Sequence, residues 1–528
     1  MSTWCEYPVT NEITIDRSPS STLDESGYED GGGRRRQRRQ RLVRLVNVKV
    51  PSCCLRVMTR TSVGGTGNGE EGTDTGGGDG SGFGREDLDG LVAVDITVDV
   101  ERGVVTEVTE ASEWSRTSRR DAESWMEVSE DEASEDVDVL LVNGRSNMCL
   151  PTFVDIHTHI DKAHTCERSR NLDGTLAGAD AACGRDAKYW TQQDAVKRMN
   201  FAISSAYAYG TSALRTHLMS GDESQCKIAW EAFSEMRKKW RGKVNLQGVS
   251  LNVLSFFSDQ YKARKLARMV KDYGGILGAA VSCSDAGGTS ADEATTCGDD
   301  MPKLLDVVFS IAKEFELDVD FHVDENGNES SKGLLYISEA VVRNRFNGSV
   351  VCGHCCSLAV QPENEVTHII KAVYDAGVTV VSLPTVNQWL QNRDPTGETT
   401  PTRRGVTRLK ELANANVPVC LSSDNTRDSF FHYGDCDMLE VFKSSVCIAH
   451  LDRPIGEWPL AVTATPAKAM KLGEAYGLLI PGAKANMILF HARNYSELFS
   501  RSQHDRVVIR DGIRINVSLP AYEELDEA

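Results

Sequence analysis

The segment Asp155-Ile-His-Thr-His-Ile-Asp161 places two histidines, two positions apart, at the end of an apolar stretch. Alternate side chains of a β-strand point to the same face, so His157 and His159 can both reach a single metal ion. A His-x-His pair alone also arises by chance on protein surfaces. The interpretation therefore depends on what the rest of the chain places beside this pair.

Apolar runs of strand length alternate with amphipathic helical patterns from Val139 to about residue 470. This alternation predicts βα units around a parallel sheet. Eight runs qualify as strands, which is the number that a (β/α)8 TIM barrel requires. We therefore predict an α/β fold with a barrel over residues 151–470. The expected strand ends are 155–157, 213–217, 246–251, 276–282, 319–322, 350–354, 379–383 and 419–423.

Strand-like segments with turn signals also lie on both sides of the predicted barrel. They predict a small flanking β-sandwich domain that both chain ends form, from residues 42–150 and 471–528. The first of these parts carries Gly-rich and acidic insertions at 62–89 and 111–138. Residues 1–41 are polar and charged without apolar periodicity, which predicts a disordered tail.

The charge of the chain restricts the partners that it can bind. A formal net charge of -19 disfavours nucleic acid and anionic membranes, because phosphate contacts need a basic face. The exception is the run Arg34-Arg-Arg-Gln-Arg-Arg-Gln-Arg41. It is either a nuclear-localisation or polyanion-binding patch or, as we favour, a solvated charge run in the tail. Scattered cysteines and the lack of an apolar signal-peptide core favour a cytoplasmic location.

Barrel active sites lie at the carboxyl ends of the strands, so the polar residues that end each apolar run are the candidates for chemistry. His322 ends the expected fifth strand, and Asp424 follows the eighth. Together with His157 and His159 they supply three imidazoles and one carboxylate. This donor set suits one divalent ion, Zn²⁺ or Fe²⁺, with a position left open for water.

Further polar residues could complete a hydrolytic mechanism. Glu325 lies three residues after His322, where it can shuttle protons beside the metal. His354 ends the next strand and could orient the attacking hydroxide or stabilise developing charge. A metal ion lowers the pKa of bound water from 15.7 to about 7, which makes attack on an amidine-like ring carbon feasible. Asp424 can accept the proton that the water gives up.

Four segments carry a resemblance to a known family: 157–162 (His-Thr-His-Ile-Asp-Lys), 321–325 (Phe-His-Val-Asp-Glu), 352–354 (Cys-Gly-His) and 422–428 (Ser-Ser-Asp-Asn-Thr-Arg-Asp). Their order resembles bacterial cytosine deaminase and its close relatives in the metal-dependent amidohydrolase superfamily. The similarity extends from about residue 139 to 512. It includes Arg215-Thr-His217 and Val386-Asn-Gln-Trp-Leu-Gln-Asn-Arg393.

This resemblance implies a barrel with a flanking β-sandwich, one Fe²⁺ or Zn²⁺, and hydrolytic deamination of cytosine to uracil and ammonia. It implies that Glu325 is the proton shuttle and that His354 orients the hydroxide or stabilises the transition state. The implied metal ligands are His157, His159, His322 and Asp424. No lysine lies between Leu277 and Gly288, where binuclear relatives carry a bridging carbamylated lysine, so we expect one metal ion.

The sequence departs from the cytosine deaminase pattern where the substrate would bind. The family's substrate-amide glutamine is absent from residues 251–255, where Asn252 is the candidate replacement. Met219 and Asn425 stand where that family carries acidic residues. We predict Asn252, Asn425 and Phe430 as substrate-binding residues for a small N-heterocycle.

Three alternatives remain open at this stage. The substrate could be another amino-substituted N-heterocycle of the isocytosine, triazine or creatinine type. The barrel could instead be a catalytically inactive scaffold, or the Arg-rich run could bind nucleic acid. The helix-rich exterior of a barrel permits homo-oligomers without requiring them.

Overall fold

The computed structural model describes residues 40–56, 86–112, 128–130, 137–281 and 300–526. Two groups of strands organise this part of the chain. The first group, from the chain ends, comprises β1 Gln40–Pro51, β2 Leu91–Asp99, β3 Val104–Glu110, β4 Val128–Glu130, β5 Val137–Asn143, β6 Cys149–Pro151, β15 Met487–Leu489, β16 Val507–Arg510 and β17 Ile513–Arg514. The second group comprises β7 Phe153–Thr158, β8 Thr211–Met219, β9 Asn245–Leu251, β10 Leu277–Val281, β11 Val319–Val323, β12 Val350–His354, β13 Thr379–Ser382 and β14 Val419–Leu421.

The second group forms two parallel sheets, ordered β7-β8-β9 and β10-β11-β12-β13-β14. Isolated parallel bridges join the sheets on both sides, between Thr158 and Asp424 and between Val249 and Ile276. Strand order thus follows chain order throughout, as in an α/β fold of the TIM-barrel type. All eight strands that the sequence predicts in this region are present.

Helices follow every strand of this group and pack against the sheets, and a last helix, Tyr495–Ser500, lies between β15 and β16 of the first group. They are α1 Leu176–Asp186, α2 Gln192–Ala208, α3 Glu223–Lys239, α4 Gln260–Asp272, α5 Met301–Glu314, α6 Gly333–Arg343, α7 Glu363–Ala376, α8 Pro384–Leu390, α9 Leu409–Asn414, α10 Met438–Ala449, α11 Ala464–Ala469 and α12 Tyr495–Ser500. Because packed helices cover one face of the strands and side chains fill the interior, β12 and β13 are buried along their whole length.

Helix α3 illustrates how the sequence specifies these elements. Asp222 caps its N-terminus by accepting hydrogen bonds from the backbone N–H groups of Ser224 and Gln225. Trp230 and Phe233 recur at helical spacing and are fully buried in the main apolar core. Basic residues occupy the last turn, where positive charge complements the helix dipole.

Both chain ends contribute to the remaining sheets. One sheet has the order β3-β2-β1-β5-β4, and the other has the order β17-β16-β15-β6. In the latter, Leu150 of β6 pairs with Ile488 of β15, so residues more than 300 positions apart share one ladder. Apolar side chains from both sheets, including Val48, Ile96 and Met487, form a second buried cluster. The predicted β-sandwich itself stays a prediction.

The structure corrects two predicted boundaries. Strand β1 begins at Gln40, because its pairing with β5 continues two residues into the segment that we assigned to the tail. The insertion predicted at 111–138 contains β4, which pairs antiparallel with β5. The rest of the predicted tail, residues 1–39, and most of both insertions lie outside the described residues. In the described part of the chain, no helix is long and apolar enough to cross a membrane.

Candidate metal centre and active site

Strands β7 to β14, here called the barrel-type strands, bring the predicted metal ligands together at their carboxyl ends. His157 and His159 come from the end of β7, His322 comes from β11, and Asp424 follows β14. Ring nitrogens of His157, His159, His217 and His322 lie within 4.8 Å of one another. The same holds for donor atoms of His157, His354 and Asp424. Side chains from distant strands thus converge at this edge of the sheets, and the ligand assignment stays a prediction.

The donor atoms face one another across a small gap. The Nε2 atom of His159 lies 3.2 Å from Asp424 Oδ1 and 3.1 Å from His322 Nε2. The Nε2 atom of His157 lies 3.6 Å from the same carboxylate oxygen. Ligand atoms that share an ion at about 2.0–2.2 Å are separated by such distances.

The hydrogen-bonding state of these side chains tests whether the cluster suits a metal ion. Both carboxylate oxygens of Asp424 are buried and have no hydrogen-bond donor among the described residues. The ring nitrogens of His157 and Nδ1 of His322 are also buried without partners there. Buried polar groups are almost always satisfied, and an unpaired buried carboxylate is costly. A divalent cation would bind the carboxylate and one ring nitrogen of each imidazole, so the residues fit the expected ion.

The electrostatics favour the forms that bind metal. Burial lowers the pKa of His157, His159 and His322 well below the usual imidazole value, and neighbouring cationic groups add to the effect. These imidazoles are therefore neutral, which is the metal-binding form. Burial raises the pKa of the Asp424 carboxyl, and repulsion from Glu325 adds to this shift. A bound cation would instead favour the charged carboxylate.

A tight supporting structure holds the two strand ends in place. Asp155 accepts hydrogen bonds from the hydroxyls of Ser422 and Ser423, which ties β7 to the segment after β14. Gly353 is required beside His157, because a Cβ atom there would lie 2.7 Å from the imidazole Cε1. The backbone of Asp424 adopts a left-handed conformation, with φ of 65°. Such strained non-glycine conformations concentrate at functional sites.

Glu325 and His354 form a polar pair next to the cluster. His354 Nδ1 lies 3.3 Å from Glu325 Oε1, and the amide nitrogen of Asn387 lies 3.0 Å from the same imidazole nitrogen and 3.3 Å from Glu325 Oε1. Burial raises the pKa of Glu325 to about 8, with Asp180 adding to the shift. Sequence reasoning placed Asn387 in a family-like segment but gave it no role.

His217 is a further imidazole that sequence reasoning did not assign. Its ring centroid lies 4.1 Å from that of His157, and its Nε2 lies 3.3 Å from Asp320 Oδ1. The other oxygen of Asp320 accepts a 2.8 Å hydrogen bond from Arg215. The position of His217 near the end of the second strand was the signal that could have identified it.

Lys162 is the second unassigned residue of the site. Its side chain is buried, and its Nζ lies 4.0 Å from the centre of the Phe430 ring. Burial lowers the pKa of the Lys162 ammonium, but surrounding acidic groups, of which Asp428 contributes most, shift it upward overall. The ammonium also lowers the pKa of His159 and opposes the rise in the pKa of Glu325. Lys162 therefore interacts electrostatically with the cluster.

The three predicted substrate-binding residues occupy different surroundings. Phe430 contacts Lys162 through its ring face. Asn425 is buried and donates a 2.7 Å hydrogen bond to Asp428, which also accepts from the backbone of Phe430. Asn252 follows β9, and neither polar atom of its buried amide has a partner among the described residues.

Comparison with known proteins gives the family of the chain. Residues 229–514 match the amidohydrolase family. The chain is 43% identical over 383 residues to pterin deaminase of Rhizobium rhizogenes, which covers 72% of this chain and 84% of the relative. It is 24% identical over 358 residues to N-isopropylammelide isopropyl amidohydrolase of Pseudomonas sp., covering 66% and 81%. A crystal structure of Klebsiella pneumoniae 5-methylcytosine deaminase with 5-fluorocytosine has a TM-score of 0.67 and 22% identity, covering 83% and 96%.

The chain belongs to the amidohydrolase family. It is therefore an enzyme, a hydrolase that acts on C–N bonds other than peptide bonds, and the prediction of an enzyme is confirmed. The structural likeness to 5-methylcytosine deaminase supports the TIM-barrel-like α/β fold. The metal dependence of this family agrees with the histidine and aspartate cluster.

The ligand assignment predicts the effect of removing one imidazole. His157→Ala should lower the metal content of the purified protein from about one ion per chain and reduce metal affinity by at least about tenfold, because it deletes a donor from the cluster. Metal analysis after dialysis measures this. His368→Ala, an exposed position on α7, is the control and should keep the full metal content. A His157→Ala variant that retains both metal and activity would contradict the assignment.

Proposed function

We propose that this chain is a hydrolytic deaminase that removes ammonia from an amino-substituted N-heterocycle with the help of one divalent metal ion. The observation that carries the proposal is the convergence of His157, His159, His322 and Asp424, whose facing donor atoms lie 3.1–3.6 Å apart. Glu325 lies 3.3 Å from the adjoining His354. A closed eight-stranded barrel with a β-sandwich built from both chain ends is part of the same proposal.

The reaction follows from the roles of the chain's own residues. A divalent ion held by the cluster supplies Lewis acidity that makes water a nucleophile near neutral pH. The water oxygen bonds to the ring carbon that carries the amino group, and the C–N bond of that group then breaks. Glu325 gives a proton to the departing nitrogen, which leaves as ammonia. His354, held by Asn387, orients the attacking oxygen, and Asp424 receives the proton from water.

Pterin is our first candidate substrate and cytosine is the second. The 43% identity to pterin deaminase extends over most of that enzyme's length, whereas the 22% identity to 5-methylcytosine deaminase supports the fold alone. Both heterocycles carry an amino group on a ring carbon of a cyclic amidine and a nearby carbonyl oxygen. The glutamine that binds the substrate amide in the cytosine deaminase family is absent from residues 251–255. Asn425 donates a hydrogen bond to Asp428. These differences favour the larger pterin ring.

Lys162 is our candidate for the residue that recognises the substrate carbonyl. Its ammonium makes no hydrogen bond or ion pair within the described residues and is a strong donor to an oxygen atom. Phe430 stabilises this ammonium through its ring face and so acts on the substrate through Lys162. Asn252, with an unpartnered buried amide, is proposed as a second polar contact to the ring.

A substrate panel tests the proposed function. Ammonia release should be fastest with pterin when the metal-loaded protein is offered pterin, cytosine, isocytosine, creatinine and aminotriazines. A coupled assay for ammonia measures each rate. Lys162→Met should raise the KM for pterin while the metal content stays unchanged. Release of ammonia from none of these compounds would contradict the deaminase proposal, and faster release from cytosine would contradict the choice of pterin.

The proton-shuttle role of Glu325 has its own test. Glu325→Gln should retain the metal but lower kcat by at least about 100-fold, because the amide cannot deliver a proton to the leaving nitrogen. Steady-state kinetics and metal analysis of the same sample measure both quantities. Glu329→Gln, an exposed position in the same loop, is the matched control and should behave as the unmodified protein. Unchanged turnover in Glu325→Gln would rule out the assigned role.

A further inference from the structure

A cavity lined by basic residues, here called the basic cavity, lies at the opposite end of the barrel-type strands from the metal cluster. Its lining includes Asn245, the first residue of β9, and Ser212, near the start of β8, whereas the cluster follows the carboxyl ends of strands. Its volume is about 610 Å³. Six cationic side chains line it against one carboxylate, in a chain with a net charge of -19: Arg237, Lys238, Arg241, Lys243, Lys484 and Arg510, with Asp511.

Most of this positive charge is not neutralised within the part of the chain that the structure describes. Lys484 pairs with Asp511 at 3.2 Å. Arg510 donates to the backbone carbonyls of Thr211 and Lys243, at 3.4 and 2.6 Å, and its buried Nε has no partner. The other four cations have no carboxylate within ion-pair distance there. Lys238, Arg241 and Lys243 are exposed, so water and salt screen part of their mutual repulsion, and an anion in the cavity would lower it further.

The helix dipole explains only part of this cluster. Arg237 and Lys238 lie in the last turn of α3, where positive charge is favourable without any ligand. Arg241 and Lys243 lie beyond the helix end, so their charges are not required by it. Lys484 and Arg510 reach the same cavity from segments about 240 and 270 residues further along the chain. Convergence from three separate segments is typical of a binding site.

We propose that this cavity binds a small molecule that carries phosphate groups. Arginine and lysine are the residues that bind phosphate most often, and the planar guanidinium of Arg241 can form paired hydrogen bonds to its oxygens. The volume lies in the range of small-molecule sites, about 300–1,000 Å³. Tyr476 and Asn486 also line the cavity and offer a ring face and an amide to the rest of such a ligand.

This site is independent of the proposed reaction. It lies between the starts of β8 and β9 and the sheet that contains β16, so a ligand there would join two parts of the fold. A ligand that binds the folded chain and not the unfolded one raises the free energy of unfolding by mass action. The same phosphate chemistry is present in inorganic pyrophosphate and in nucleotides, and titrations with both distinguish these sources.

Calorimetric titration of the metal-loaded full chain tests the proposal. Sodium pyrophosphate and ATP are the probes, each titrated at low and at high ionic strength. We expect binding that weakens as salt rises, because the contacts are electrostatic. The double variant Arg241→Gln/Lys243→Gln should bind at least about tenfold more weakly. It keeps the Lys243 carbonyl that receives Arg510, so the local backbone contact is preserved.

The control removes two positive charges from exposed helical positions elsewhere. Lys371→Gln/Lys410→Gln, on α7 and α9, should bind both probes as the unmodified protein does. Tighter binding of ATP than of pyrophosphate would support a nucleotide as ligand, and equal binding would support an inorganic one. Absence of binding at millimolar probe concentrations, or equal weakening in both double variants, would overturn the proposal.

Discussion

The buried carboxylate of Asp424 imposes the strongest constraint on this structure. Its Oδ1 lies 3.6 Å from Nε2 of His157 and 3.2 Å from Nε2 of His159, and neither oxygen has a hydrogen-bond donor among the described residues. A buried charge without partners destabilises a protein strongly, so a cation is the physical solution to this arrangement. The paired serines on Asp155, the absent side chain at Gly353 and the left-handed backbone of Asp424 all hold this constellation in place.

The same arrangement places the proposed recognition residue next to the proposed metal ligands. Lys162 follows the His-x-His segment by three positions, so the strand that supplies two imidazoles also brings a cation into the site. Asp428, four residues after Asp424, raises the pKa of this lysine and bonds to Asn425. The two short segments 157–164 and 424–428 thus contain three of the proposed ligands and the proposed recognition residue. Backbone hydrogen bonds join them, including one from Asp424 N–H to the His157 carbonyl.

Much of this organisation could be predicted from the sequence, because it depends on local periodicity. Apolar runs of strand length gave all eight barrel-type strands, and polar residues at their ends gave His157, His322 and Asp424. The boundary at Gln40 was wrong because strand pairing with distant partners, rather than local composition, extends β1. His217, Lys162 and Asn387 were not assigned because their roles arise from contacts between segments far apart in the chain.

The basic cavity shows the same limit of sequence reasoning. The run at 34–41 is the most basic stretch of an acidic chain, but residues 237–243 also carry five cations in seven positions. Local composition alone would be interpreted as the basic last turn of a helix, where positive charge complements the helix dipole. Only the fold brings this run next to Lys484 and Arg510, so that their positive charges line one cavity. This arrangement is the basis of the proposed phosphate site.

Anomalous diffraction from crystals of the metal-loaded protein tests the central claim most directly. Data collected at the zinc and iron absorption edges would locate the ion and identify its ligands. We predict one ion, bound by ring nitrogens of His157, His159 and His322 and by a carboxylate oxygen of Asp424. Two ions at this site, an ion bound elsewhere, or a ligand set in which His217 replaces one of these residues would contradict it.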